Sequence, residues 1–306
     1  MSGTVALTGA TGFIGGTLCQ ALVRCGFQVR ALARKPQPAV TNVTWIYGNL
    51  ETPAALMSLL EGAQSIIHCA GAVRGRTLDE FNRVNLAGTR AIVTACLAQT
   101  PQPRLLFIST LAARLPELSW YAASKAAAEL VIREQGRNLQ WTIFRPTVVY
   151  GPGDREMRPL FQWLLRGILP TPRSPGSRFS LLHVDDLAGA VMQWLRQPPT
   201  LNATFELCDG TENGYDADTL ARLVEAHQGR RVRVLCLPVV LLRLAAWANL
   251  CLARVTGRSP MLTPGKVREL IHPDWTADAG DFTRATGWSP RIRFVDALAT
   301  GRLFFT

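Results

Sequence analysis

Tyr121-Ala122-Ala123-Ser124-Lys125 sets a phenol and an ammonium four residues apart. On a helix, positions i and i+4 share one face. A cation there favours phenolate over phenol, so Lys125 is expected to lower the pKa of Tyr121 and let it exchange a proton nearer neutrality. Such a pair can move a proton on and off a carbinol oxygen while a second molecule gives or takes hydride. Alone the spacing is weak, because any helix with a solvated lysine and a half-buried tyrosine matches it.

The start of the chain supplies that second molecule. Val5-Ala6-Leu7 reads as a strand, Gly9, Gly12 and Gly15 as a tight turn, and Leu18, Ala21 and Leu22 as one face of a helix. Glycines there permit positive φ and let a phosphate approach the amides of the helix N-terminus, where the peptide dipoles favour negative charge. The spacing is G-x-x-G-x-x-G, not the commoner dinucleotide fingerprint G-x-G-x-x-G. An ordinary glycine-rich turn is the alternative; the position between strand and helix favours the phosphate.

Positioning these groups requires a sheet, and strands alternate with helices through the first half. Gln28 to Leu32, Ser65 to Cys69, Arg104 to Ser109 and Trp141 to Phe144 read as strands, and Ala87 to Ala98 and Tyr121 to Glu134 as helices. This predicts an α/β fold: a doubly wound parallel sheet of Rossmann type, with ligands beyond the carboxyl ends of the strands. Gly12, Gly71, Thr110 and Pro146 each follow such an end. Residues 1–150 read as a dinucleotide-binding domain. Residues 151–306 read mainly as a smaller C-terminal substrate lobe, with some segments returning to the Rossmann core. Its helices are expected at Leu160 to Leu169 and Asp216 to His227, with a strand at Arg231 to Leu235; Pro159, Pro170, Pro172 and Pro175 punctuate its start.

The chain has 306 residues, 48% of them hydrophobic, enough for a large core. Its seven cysteines (Cys19, Cys25, Cys69, Cys96, Cys208, Cys236, Cys251) are odd in number and free of C-x-x-C spacing, and read as buried thiols in a reducing compartment. No positive charge precedes Arg24 and no apolar signal region stands before it, so the cytoplasm is the default expectation. The net charge of +11 raises nucleic acid as a partner, but the arginines run from Arg24 to Arg302 without a basic cluster or interleaved aromatics. A solvated surface is the better account, attraction to an anionic substrate or lipid the second, and no nucleic-acid partner is expected.

Eight segments occur in an order that resembles a known family: Thr8 to Gly15, His68 to Gly71, Asn85 to Thr89, Phe107 to Thr110, Tyr121 to Lys125, Arg145 to Gly153, His183 to Leu187 and Gly287 to Pro290. They are similar to those of the extended short-chain dehydrogenases/reductases, the NAD-dependent epimerase/dehydratase group. The resemblance implies an oxidoreductase in which Thr110, with Ser109 as the fallback, hydrogen-bonds the substrate oxygen. Tyr121 would be the general acid/base, Lys125 would hold the nicotinamide ribose, and Asn85 would orient this group or a water. A hydroxyl, a phenol and an ammonium around one oxygen form a proton path and a cradle for alkoxide charge. The same resemblance implies dinucleotide contacts from Gly9, Thr11, Gly12, Phe13, Ile14 and Gly15, from Asn49 and Leu50, from Cys69, Ala70 and Gly71, and from Lys125, Pro146 and Val148. Asn49 stands where the family usually has an Asp near the adenine, and its amide can serve the same hydrogen bond.

Cofactor choice rests on the end of the second strand. NAD sites place a carboxylate there for the ribose 2′-hydroxyl, and NADP sites an arginine for the 2′-phosphate. Leu32-Ala33-Arg34-Lys35 has two cations and no carboxylate, so NADP(H) is favoured over NAD(H). The alternative is that Arg34 and Lys35 are loop charges.

His183 beside Asp185 and Asp186 has no second histidine within ligand spacing, so no metal is expected. His68 reads as a satisfied core residue, His227 and His272 as surface or packing residues, and Tyr150 either borders the substrate or packs beneath the loop. Leu235 to Leu252 is apolar except at Pro238, Arg243 and Asn249, which argue against a spanning helix. A buried helix or helix pair beside a greasy pocket is favoured over a helix on a membrane surface with Arg243 and Arg254 snorkelling. Either suits an apolar substrate, and Trp247, Leu262-Thr263-Pro264 and His272-Pro273-Asp274-Trp275 give a loose likeness to the hydroxysteroid dehydrogenase branch. Only eleven positions separate Thr110 from Tyr121. That short loop leaves less protein to grip a sugar nucleotide, and it resembles atypical members of the family, some of them non-catalytic.

The expectation is an NAD(P)-dependent enzyme that moves hydride between nicotinamide and a carbonyl or alcohol of a hydrophobic small molecule. A sugar-nucleotide epimerase or dehydratase and a non-catalytic NAD(P)-binding subunit stay open. So do peripheral membrane contact and a homodimer.

Overall fold

The computed structural model describes residues 3–172, 176–198, 202–257 and 259–303; Pro175 and the Arg254 side chain lie outside the described residues. In the first half the chain runs β1 (Thr4–Thr8), α1 (Phe13–Arg24), β2 (Gln28–Ala33), β3 (Val43–Tyr47), α2 (Pro53–Leu60), β4 (Ser65–His68), α3 (Leu78–Asn82), α4 (Gly88–Leu97), β5 (Arg104–Ile108), α5 (Trp120–Gln135) and β6 (Trp141–Pro146). A π-helical turn, Arg83–Ala87, joins α3 to α4, and two 3-10 turns, Leu111–Arg114 and Pro116–Leu118, fill the short loop before α5.

The second half follows with β7 (Val148–Tyr150), α6 (Arg158–Leu165), β8 (Ile168–Pro172), β9 (Arg178–Phe179), β10 (Leu181–His183), α7 (Val184–Arg196), β11 (Ala203–Leu207), α8 (Ala217–Gln228), β12 (Arg233–Leu237), α9 (Val239–Thr256), α10 (Pro264–Ile271), β13 (Asp274–Trp275), α11 (Gly280–Thr286) and α12 (Phe294–Ala299).

Seven strands form one parallel sheet in the order β11-β6-β5-β4-β1-β2-β3. From β1 the chain winds outward through β2 and β3, then crosses back to β4 on the other side of β1 and winds outward the opposite way. The crevice between the carboxyl ends of β1 and β4 is therefore the switch point where ligands of such sheets bind. Val5 and Leu7 point to one face and Ala6 to the other, as strand alternation requires. The first face is covered by α1 and α7, with Leu18, Leu22, Leu187 and Trp194 buried; the second by α2, α4 and α5, with Leu56, Ile92 and Ile132 buried. Burying each such side chain contributes roughly 1.5–3 kcal/mol. β11 returns from the second half to extend the sheet beside β6.

A separate cluster centred on Tyr150, Phe161, Leu220 and Phe294 builds the C-terminal lobe. Here the helix expected over Leu160 to Leu169 stops at Leu165, and residues 168–172 form β8, paired in parallel with β12. Gly167 turns the chain with φ at 89°, and Pro170 cannot donate a helical hydrogen bond. The strand expected at Arg231 to Leu235 lies two residues later, in β12. In Leu235 to Leu252, Leu235–Leu237 is strand, Pro238 caps α9, and the remainder is helix. Among the described residues, no helix is long and apolar enough to cross a membrane. All seven cysteines are free, but the expectation of buried thiols fails for Cys25, Cys236 and Cys251, which are exposed. Cys25 follows the last turn of α1, and the other two lie on open faces of β12 and α9.

Candidate active site

The glycine turn is built on contacts that a side chain would destroy. Gly9 has φ 77°, and a Cβ there would lie 2.8 Å from the Ala70 nitrogen. A Cβ on Gly15 would lie 2.0 Å from the Gly9 carbonyl oxygen. These approaches press the turn against Cys69 and Ala70 at the end of β4. Thr11 and Gly12 are exposed, Gly12 caps α1 without a side chain, and no acidic residue stands in the first turn. The first amides of α1 thus have the bare, positive surroundings that a pyrophosphate requires. Phe13 and Ile14 open the helix, half-buried.

Thr8, at the end of β1, pairs its hydroxyl with His68 Nδ1 at 2.7 Å and accepts from the Ala70 amide at 3.1 Å. His68 Nε2 reaches Thr89 at 3.1 Å, and burial, aided by Lys125, pushes its pKa down to about 3. His68 is therefore a neutral core residue that ties β1 to β4. Arg34 and Lys35 stand exposed beyond β2 with no ion-pair partner among the described residues. Asn49 Oδ1 accepts from the Glu51 amide and the Thr52 hydroxyl, at 2.8 and 3.0 Å, and so stabilises the turn into α2. Leu50 packs on Gly88, where a Cβ would lie 2.5 Å from Leu50 Cδ1. Glycines free of Cβ, an uncapped helix and two unpaired cations fit a phosphorylated dinucleotide. Gly9 to Gly15, Arg34, Lys35, Cys69 to Gly71, Lys125, Pro146 and Val148 would hold it.

Around the neighbouring strand ends the candidate acid/base residues meet. Ser119 caps α5 by accepting from the Ala122 amide at 3.0 Å, which sets Tyr121 and Lys125 on the first turns. Thr110 follows β5, accepts from the Ala112 amide at 3.3 Å, and stands close enough to the Tyr121 phenol to lower its pKa. Its neighbour Ser109, one residue earlier and so on the opposite side of the chain, donates to buried Glu129 at 2.6 Å. Thr110, not Ser109, therefore faces the phenol. Asn85 lies in the π-helical turn, which displaces it from the regular helical ladder. Its Oδ1 accepts from the Ala72 amide at 2.7 Å and its Nδ2 donates to Ser124 Oγ at 2.8 Å. Ser124 in turn donates to the Tyr121 carbonyl at 2.8 Å. Asn85 thus fixes the backbone of the turn carrying Tyr121 to the loop carrying Gly71.

The expected effect of Lys125 on Tyr121 is overturned. Burial pushes the phenol up to about 12; Thr110 opposes the rise, and Glu269 and Cys69 add to it, with no contribution from Lys125. The lysine's proton goes elsewhere: Nζ donates to the Ile108 carbonyl at 2.8 Å and sits 4.0 Å from the Phe107 ring centroid. Burial lowers Lys125 itself to about 8, against the opposing pull of Cys69 and Glu129. Cys69 is pushed up to about 12 by burial and stays a thiol. Without cofactor, the site at neutral pH therefore holds a protonated phenol beside a hydroxyl, above a buried ammonium. An oxygen placed between Thr110 and Tyr121 meets two O–H groups, one of them able to give up its proton.

The remaining sequence candidates are structural. His183 Nδ1 accepts from the Asp185 amide at 3.2 Å and caps α7, while Asp186 accepts from the Arg291 and Ile292 amides. Among the described residues no group of side chains could hold a metal ion. Tyr150 packs in the lobe core against Phe161, His183 and Phe294. His227 is exposed, and His272 rests on Trp275. Three supporting residues escaped the sequence reading: Ser124, Glu129 and Glu269. Glu129 takes three hydrogen bonds from Arg145 and one from Arg133, and it sits one turn after Lys125. The only sequence signal for it was that spacing.

The model of the family described as "NAD dependent epimerase/dehydratase family" matches residues 5–207. A ceramide reductase of Caulobacter vibrioides is 36% identical, over 94% of this chain and 97% of the relative. A 2-alkyl-3-oxoalkanoate reductase of Stenotrophomonas maltophilia is 31% identical, over 60% of this chain and 62% of the relative. Among solved structures, MoeE5 in complex with UDP-glucuronic acid and NAD superposes with a TM-score of 0.73 at 23% identity, covering 97% of each chain.

Proposed function

As a member of the NAD-dependent epimerase/dehydratase family, the chain is an oxidoreductase of the extended short-chain dehydrogenase/reductase type, and we propose that it reduces the carbonyl of a lipid-like molecule with NADPH. The carrying observation is that Thr110, after β5, and Tyr121, on the first turn of α5, stand close enough for Thr110 to act on the phenol, beside the switch point of the sheet. NADPH, when bound, supplies the hydride. Arg34 and Lys35 hold its 2′-phosphate, the Gly9 to Gly15 turn its pyrophosphate, and Lys125 the ribose beside the nicotinamide. Thr110 orients the substrate oxygen, and Tyr121 gives that oxygen its proton as alkoxide charge develops. Tyr121 is protonated across the physiological range, which suits reduction over oxidation.

An apolar substrate is supported by the residues that flank the site in sequence. Val73 after Gly71, Trp120 before Tyr121 and Val148 after Pro146 are all exposed large hydrophobic residues. The names of the two reductase relatives also speak of acyl-chain molecules. A sugar-nucleotide epimerase is the second reading, favoured by the MoeE5 likeness in fold. The test is NADPH consumption with long-chain ketolipids and with UDP-sugars. Turnover on a ketolipid with none on the UDP-sugars is expected; UDP-sugar conversion without net NADPH consumption would establish the second reading instead.

A further inference from the structure

We propose that the open face of α9 docks onto the surface of an anionic phospholipid bilayer. The helix faces inward through buried Ala246, Leu250 and Ala253 and packs on α10. On its other side Val240, Leu244, Trp247, Cys251 and Val255 recur at helical spacing as one stripe. That stripe is open: Leu244 is 61% exposed, Trp247 57% and Val255 86%. A surface helix of a globular protein ordinarily turns its apolar stripe to the core, and an uncovered one marks an interaction surface.

Charge identifies the occupant. Residues 226–268 contain no Asp or Glu, while Arg230, Arg231, Arg233 and Arg243 stand exposed on and before the helix. A second copy of this face would set like charges against each other with no carboxylate in the segment to neutralise them. A bilayer bearing anionic headgroups accepts the apolar stripe and pairs with the arginines at once. Because no described helix can cross a membrane, α9 lies along the interface. Packing also connects this face to the reaction site. The neighbouring α10 donates from Arg268 Nε to the Leu118 carbonyl at 2.8 Å and accepts through Glu269 from Ser119, the cap of the helix carrying Tyr121.

The test is co-sedimentation of the full chain with vesicles of phosphatidylcholine alone and of phosphatidylcholine with phosphatidylglycerol, alongside its size in solution. Leu244→Glu/Trp247→Glu and Arg231→Glu/Arg233→Glu alter only exposed positions, and circular dichroism verifies that they fold. Binding to the anionic vesicles should be on the order of tenfold weaker in either variant and weaker again in high salt. Tyr121→Phe should bind as the wild type does, so loss of turnover and loss of docking are separable. The proposal is overturned if the protein ignores both vesicles, binds phosphatidylcholine equally well, is unaffected by the variants, or forms a dimer that Leu244→Glu/Trp247→Glu dissociates.

Discussion

The Glu269 carboxylate accepts a hydrogen bond from the Ser119 hydroxyl, so a helix of the C-terminal lobe is fastened to the cap of α5, the helix carrying Tyr121. The contact is reinforced from both sides. Lys266 reaches Glu269 at 2.9 Å, and a Cβ on Gly265 would lie 2.9 Å from that of Ser119, so the two helices meet almost backbone to backbone. Since Glu269 also raises the pKa of Tyr121, the lobe acts on that phenol as well.

Glu269→Gln should keep the Ser119 link while removing the charge. The Tyr121 pKa then falls from about 12. Phenolate becomes available at lower pH, so alcohol oxidation should begin its rise at lower pH than in the wild type. A pH profile of the oxidative reaction reads this; an unchanged profile would mean that the Glu269 charge does not reach the phenol.

In the proposed reaction Lys125 should set the alkaline limit of reduction. Its folded pKa is lowered by burial to about 8, so the ammonium is present below that pH and lost above it. Affinity for NADPH should be flat at acidic to neutral pH and decline above about 8. Glu129 raises the Lys125 pKa, so Glu129→Gln should move that decline toward lower pH. Binding titrations of NADPH across pH test both statements.

Arg34→Ala/Lys35→Ala should weaken NADPH binding by about ten- to hundredfold while changing NADH binding little, because charge-assisted bonds to the 2′-phosphate are lost and NADH has none to lose. Both residues are exposed, so folding should be unaffected. Equal losses for the two cofactors would remove the 2′-phosphate from this end of β2.

The sequence carried the sheet and its crevice because the ends of β1, β4, β5 and β6 are marked by glycine, threonine or proline, residues suited to a turn or a close approach. Gly9 against Ala70 is such an approach. What it did not carry came from three-dimensional proximity. Residues spaced i and i+4 share a helix face, yet Lys125 bonds back to β5 instead of forward to Tyr121. Glu269 is far along the chain from the phenol that it influences. The strand β3 went unread because its side chains are half-exposed and lack clean alternation. The apolar stripe of α9 was visible as composition, but only the fold shows that one side is covered by α10 and the other is open.

In the proposed reaction Tyr121 gives the proton as hydride reaches a carbonyl carbon. Single-turnover oxidation of bound NADPH, followed by absorbance with a ketolipid that the wild type reduces, tests it in Tyr121→Phe. NADPH binding should be unchanged and the rate lower by about 10²- to 10⁴-fold. A Tyr121→Phe rate equal to that of the wild type would contradict it.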